Sequence, residues 1–251
     1  MNKYAITCGS TADFTKERAR ERDIAVLPFR FRIDEEDYID DFGKSISNKD
    51  FYDRLSGGAN VKTSSVNVGE YIEFFEPYLK DGIDVIHITL SSGLSGSYDY
   101  CLSAKKELEG KYPERKIYVI DSLCGSAGYG MLVEDAADLR DHGKSAAEIT
   151  EIIEDRKLGI RALYFTSDLT AFIKGGRLSA AAGFYKYIVS FSFPCGKWNC
   201  GIYGSMIEWG KTDEGVRSLD GKRDKVYLKW GLTALGVICI SVVLVVIFTD
   251  L

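Results

Sequence analysis

Short apolar runs alternate with amphipathic, charge-rich stretches over the first two-thirds of the chain. Tyr4 to Cys8 is an apolar run ended by Gly9-Ser10-Thr11 and predicts a first strand feeding a loop. Residues 14 to 23 suit a helix, and Ile24 to Ile33, with Val26, Leu27, Phe29 and Phe31, reads as β structure. Acidic residues crowd 34 to 41 and predict an exposed hairpin or turn. Ser47 is an N-cap candidate with Asp50 three residues on, and Gly57-Gly58 stops the helix between them. Tyr71, Phe74, Phe75, Tyr78 and Leu79 recur at helical spacing, predicting a helix over about 67–80. Ile83 to Leu90 is the clearest strand, followed by the Ser91–Ser97 glycine–serine loop and a helix to about Leu108. A strand over Lys116–Ile120, helices over Gly125–Leu139 and 145–157, and a strand from Ile160 to Phe165 complete the series. This alternation, with crossovers long enough for parallel pairing, predicts an α/β fold: a parallel sheet with helices on both faces.

A length of 251 residues leaves room for one large domain or two modest ones, with a core that needs no staples. The 37 acidic residues outnumber the 32 basic ones, so nucleic acid is not an expected partner. Asp13 and Lys16 follow the start closely with no apolar h-region, so no secretory signal is expected, and the globular part reads as reduced and cytosolic. The six cysteines have no framework spacing; Cys195 and Cys200 lack a second pair or a nearby histidine and read as unpaired thiols. His87, within a strand, and His142, at a helix end, both read as structural.

Four polar loops can gather where strands end and helices begin, the usual ligand position in open α/β sheets. They are Gly9-Ser10-Thr11, Lys62-Thr63-Ser64-Ser65, Ser91 to Ser97, and Asp121-Ser122 with Ser126-Ala127-Gly128. The third directly follows the strongest strand and precedes a helix, so its amides and hydroxyls suit an anion. One serine alone would read as a helix cap; hydroxyls in all four loops favour an anion site. Gly93-Leu94-Ser95-Gly96-Ser97 nearly matches a nucleophile elbow, but Ser97 stands where glycine is required, and neither histidine is an evident base for Ser95. A serine esterase using Ser95 is therefore the weaker alternative. No GxxxxGK[ST] or GxGxxG is present, and no cofactor is expected.

At these residues the chain resembles the DegV family of fatty-acid-binding proteins over roughly residues 3 to 184. Five ordered segments carry the resemblance: Tyr4 to Asp13, with Gly9 where the family has aspartate; Lys62-Thr63-Ser64-Ser65, followed by Val66 where the family continues glutamine–proline; Leu90 to Ser97; Asp121-Ser122 through Ser126, Gly128 and Gly130; and Gly175-Gly176-Arg177-Leu178-Ser179. The resemblance implies a non-catalytic lipid carrier whose long-chain fatty acid lies in an apolar tunnel between two α/β domains. It places the carboxylate on Thr63 and Ser95, with Ser64, Ser92, Gly96 and Ser10 around it, and implies presentation to a separate fatty acid kinase subunit. Arg177 would hold its own loop or meet a partner.

Past Phe184 the pattern departs. Residues 185 to 228 lack a clean period, and no histidine follows His142, although the family carries one near the bound carboxylate. Residues 1–184 are thus expected to form the DegV-like binding region and 185–228 a divergent or truncated second-domain remnant. The abruptness favours a reading-frame change over gradual divergence, and the alternative to a lipid carrier is then a truncated non-functional DegV-like protein. From Trp230 to Thr249 there is no charge, and Lys222, Arg223, Lys225 and Lys229 precede the run. About 20 helical residues match a hydrocarbon thickness of about 30 Å, so residues 229–251 are expected to form a transmembrane helix. The globular part would then sit on the cytoplasmic side of the cell membrane, the alternative being a wholly cytoplasmic protein.

Overall fold

A computed structural model describes residues 3–163, 227–230 and 244–249. Four strands form a parallel sheet in the order β2-β1-β6-β7: β1 (Tyr4–Gly9), β2 (Ile24–Leu27), β6 (Asp84–Thr89) and β7 (Ile117–Asp121). Period-2 alternation sends neighbouring residues of β6 to opposite faces. Ile86 and Ile88 join a core with Tyr129, Leu132 and Val133 of α5 (Ser126–Asp141) and Ile149 and Ile153 of α6 (Ala146–Arg156). Val85 joins a second core with Phe51 of α2 (Asn48–Ser56), Tyr71, Phe75 and Leu79 of α3 (Val68–Lys80), and Cys101 and Leu108 of α4 (Ser97–Lys111). His87 faces this second core, edge-on to Tyr71 and Phe75, with Nδ1 2.8 Å from Thr7 Oγ1. The expected parallel sheet covered on both faces is what these two cores build.

The helix ends follow their local chemistry. Thr15, Ser47, Asn67 and Ser145 cap α1 (Lys16–Glu21), α2, α3 and α6 through the side-chain oxygen. Asn67 with Glu70 and Ser145 with Glu148 close reciprocal capping boxes. Asp50 instead takes the Ser47 hydroxyl at 2.6 Å, so Ser47 caps without a complete box.

Several expectations change. The β-like run Ile24–Ile33 is two strands, because Pro28 interrupts it and Phe29 turns its N–H to Ser10 Oγ at 3.1 Å. The second strand, β3 (Arg30–Ile33), centres an antiparallel sheet with β4 (Glu36–Ile39) and β5 (Val61–Ser64). Strand β8 (Ile160–Leu163) also lies outside the parallel sheet, pairing antiparallel with β10 (Leu244–Thr249), whose other edge takes β9 (Tyr227–Trp230). This last sheet overturns the transmembrane helix expected over 229–251, since both ends of the uncharged run are strands. Val245, Val246, Ile247 and Thr249 are β-branched, which favours pairing over a helical turn. Among the described residues no helix is long and apolar enough to cross a membrane. The membrane is accordingly withdrawn as a partner, and so is a cell-membrane location through such a helix.

Candidate ligand-binding site

The sheet order places a topological switch point between β1 and β6, because the chain leaves these neighbours toward opposite edges. Beyond β1 the chain makes a short 3-10 turn, Ser10–Ala12, and enters α1, which Arg18 and Arg22 tie to Glu134 on α5. Beyond β6 it enters α4 on the other face. The two exits diverge, leaving a crevice between them. Tyr129 spans its floor: Gly9 N–H donates to the Tyr129 hydroxyl at 2.7 Å, and that hydroxyl donates to the Ile88 carbonyl. Thr11 Oγ1, in the loop after β1, is a buried hydroxyl oxygen without a hydrogen-bond partner among the described residues.

The four predicted loops are joined by hydrogen bonds around this crevice. Asp121 Oδ1, at the end of β7, accepts the N–H groups of Ser92 at 3.1 Å and Leu123 at 3.0 Å. Ser126, opening α5, donates to Asp13 Oδ2 in the loop after β1. Ser126 and Asp13 both hold left-handed backbone, at φ 54° and 57°, a geometry that non-glycine residues keep only where their surroundings enforce it. Gly130 explains itself here: a Cβ would stand 2.5 Å from the Ala12 carbonyl oxygen, so only glycine lets α5 approach the turn after β1. Gly9 is similar, since a side chain there would meet the Phe29 ring at 2.7 Å.

The loop after β5 reaches the loop after β6 through hydroxyls. Ser65 Oγ lies 3.1 Å from Ser95 Oγ, and Ser95 Oγ lies 2.9 Å from Ser97 Oγ. Ser97 N–H donates to Ser95 Oγ at 3.2 Å, and Val66 N–H donates to Ser97 Oγ at 3.1 Å. Thr63 is on β5 opposite Phe31 and half-buried, two residues before Ser65, which follows the end of the strand. Ser64 is exposed on the other side, opposite Arg30. Ser92 and Gly96 are exposed in the loop itself, Gly96 as the N-terminal flank of α4. Ser10 Oγ is engaged by Phe29 N–H. Arg177, Cys195 and Cys200 lie outside the described residues.

Ser65 and Ser97, which sequence reasoning placed in the hydroxyl loops without singling them out as ligands, complete the cluster. The Ser-x-Ser spacing of Ser95 and Ser97 was the available signal, but only the packed structure shows Val66 closing onto it. Neither histidine serves Ser95, whose partners are hydroxyls and an amide. His87 is buried and committed to Thr7, and burial pushes its imidazole down to about 3. His142 is exposed at the end of α5, with Nδ1 2.7 Å from the Asp138 carbonyl.

Comparison with known proteins accords with this layout. A DegV domain-containing protein of Clostridium perfringens is 38% identical over 183 residues, covering 72% of this chain and 62% of the relative, so the chain spans less than two-thirds of that protein's length. The structure of DegV, a fatty acid binding protein from Bacillus subtilis, superposes with a TM-score of 0.67 at 27% identity, covering 78% of this chain and 69% of that one. The stearic-acid-binding protein of Eubacterium ventriosum shares the fold, with a TM-score of 0.70 at 24% identity over 79% of this chain and 69% of its own. The family profile described as "Uncharacterised protein, DegV family" matches residues 3–188, and the chain belongs to the DegV family.

Proposed function

We propose that this protein binds a long-chain fatty acid non-covalently and does not turn it over. The observation that carries the reading is the hydroxyl cluster of Ser65, Ser95 and Ser97, set beside the β1/β6 crevice. A carboxylate is an acceptor-only group and is costly to bury unless donors answer it. Hydroxyls supply such donors without a counter-charge. In this reading Thr63 and Ser95 take the carboxylate, while Ser10, Ser64, Ser92 and Gly96 belong to the loops that frame it. Each buried methylene of the acyl chain adds about 0.8 kcal/mol, so the tail supplies affinity and the head group sets orientation. In this reading residues 1–184 are the binding region, and 185–228 are a divergent or truncated second-domain remnant.

A separate fatty acid kinase subunit, to which the bound acid would be presented, is the partner that the likeness to the family implies. An esterase is disfavoured, since Ser95 has no imidazole among its hydrogen-bond partners. Solvent extraction of the purified full-length chain, followed by lipid mass spectrometry, should recover fatty acid, and delipidated protein should take up added oleate. Folded protein that carries no lipid and takes up none would overturn the reading.

A further inference from the structure

Two hydroxyls tie the small antiparallel sheet to the parallel one, and they act at the same end of it. Ser97 Oγ takes Val66 N–H at 3.1 Å, just past β5. Ser10 Oγ, in the turn after β1, takes Phe29 N–H at 3.1 Å, just before β3. Arg30 opposes Ser64 across the β3–β5 ladder, so Phe29 enters the sheet where β5 gives way to Ser65. The Phe29 carbonyl accepts Asp40 N–H at 2.8 Å, which bonds the pinned residue to the chain leaving β4 as well. The Phe29 ring, 5% exposed, covers Gly9, whose N–H is held on its other side by Tyr129. The turn after β1 is thus gripped by α5 through Gly9 and by the small sheet through Ser10. Asp40 is 8% exposed; burial pushes its carboxyl up, and the Ser10 hydroxyl beside it holds it back. Ser10 therefore serves an amide and a carboxyl of the protein itself.

Thr63 depends on this joint. Among the described residues β5 has β3 as its strand partner, and Thr63 opposes Phe31, two residues past the pinned Phe29. What places β3 places Thr63. Ser95 follows β6 of the other sheet. The distance between the two residues assigned to the carboxylate is therefore set across a junction between sheets. Without the Ser10 bond, the entry to β3 keeps the covalent link through Pro28 and the packing of Phe29 and Phe31.

We propose that Ser10 is a positioning residue: through Phe29 and β3 it fixes where Thr63 stands relative to Ser95, and it does not touch the ligand. The inference rests on the fatty-acid reading above and gives Ser10 a role of its own within it. A hydrogen bond weakens steeply with length and angle, so a small shift of β3 costs Thr63 its contact while both cores persist.

The test is a double-mutant cycle on the full-length chain, read by titration with oleate, with each variant checked by urea unfolding. Ser10→Ala should weaken oleate binding about fivefold, and Thr63→Ala about tenfold or more. The double variant should bind within about twofold of Thr63→Ala alone, because once the Thr63 contact is gone there is nothing left to position. Ser145→Ala, which uncaps α6 far from this joint, should lower stability and leave oleate affinity unchanged. Wild-type affinity in folded Ser10→Ala would overturn the proposal. So would losses that multiply in the double variant, which would put Ser10 on the ligand directly, and so would an equal loss of affinity in Ser145→Ala. Should Ser10→Ala fail to fold, Phe29→Leu takes its place in the cycle, since it keeps the N–H but thins the cover over Gly9; the same loss and the same non-additivity are expected, and independent effects overturn the proposal. Wild-type protein that ignores oleate removes the fatty-acid reading itself; wild-type binding with additive or unaffected variants removes only this inference.

Discussion

Removing one oxygen from Tyr129 tests how the crevice between β1 and β6 is held. The Tyr129 ring is fully buried, and its hydroxyl stands between two backbone groups, accepting from Gly9 N–H at 2.7 Å and donating to the Ile88 carbonyl. Burial pushes this phenol's pKa well up, so the proton it donates stays in place across the stable pH range. Tyr129→Phe keeps the ring and its packing against Leu132 and Val133 but strips both backbone groups of their partner. Each unsatisfied buried group costs about 1–3 kcal/mol, and losing the desolvated hydroxyl returns part of that, for a net loss of about 2–4 kcal/mol. For a chain of this size that is a fall in Tm of roughly 5–15 °C. Urea unfolding followed by circular dichroism measures it directly, provided the m-value of the variant matches wild type. A loss below about 0.5 kcal/mol would show that water or a strand shift replaces the hydroxyl, and the tyrosine would then not be what separates the strand ends.

Thr63→Ala and Ser95→Ala should each weaken fatty-acid affinity by about 1.5–3 kcal/mol, read by titration with oleate, and wild-type affinity in both would remove them from the head-group site. Asn67→Ala should destabilise the fold by about 1 kcal/mol in urea, because Glu70 N–H loses its 3.1 Å acceptor and the reciprocal box opens. His87 titrates at an ordinary 6.5 when unfolded but is held down to about 3 by burial, so the unfolded state alone gains a proton as pH falls between those values. The linked stability is whole above pH 6.5 and should drop by about 2 kcal/mol by pH 5. His87→Asn should flatten that slope, and an unchanged slope would assign the acid sensitivity elsewhere.

Sequence reading succeeded where a residue's own period or chemistry decided the outcome. The helical spacing of Tyr71, Phe75 and Leu79 placed α3 because those residues face one core. The run from Ile83 to Leu90 placed β6 because a central parallel strand is buried on both faces. Lys62-Thr63-Ser64-Ser65 was expected to be a loop, yet Val61–Ser64 is strand β5: it edges a small sheet with one face in solvent, so it lacks the apolar content that marks a strand. The same limit applies to the site. Hydroxyl-rich loops at strand ends were legible one by one. That Ser64 lies opposite Arg30 depends on the register of β5 against β3, and that Ser65, just past the strand, meets Ser95 depends on a contact 30 residues away; no local pattern specifies either.

The end of the chain shows what a length criterion leaves out. An uncharged run of about 20 residues satisfies the thickness of a bilayer whether or not its residues favour a helix. Counting apolar residues does not distinguish a segment that needs lipid from one that needs backbone partners. Leu244–Thr249 reads Leu-Val-Val-Ile-Phe-Thr, a composition that loses side-chain freedom in a helix and packs well on a pleated surface. It also contains no proline, so it can donate along its whole length, as a strand paired on both edges must. β10 meets that requirement by taking Ile160–Leu163 on one side and Tyr227–Trp230 on the other, in registers that oppose Val246 to Leu163 and to Leu228. A partner more than 80 residues earlier in the chain, not the hydropathy of the run, is what separates the strand from the helix, and a window sliding along the sequence never meets that partner.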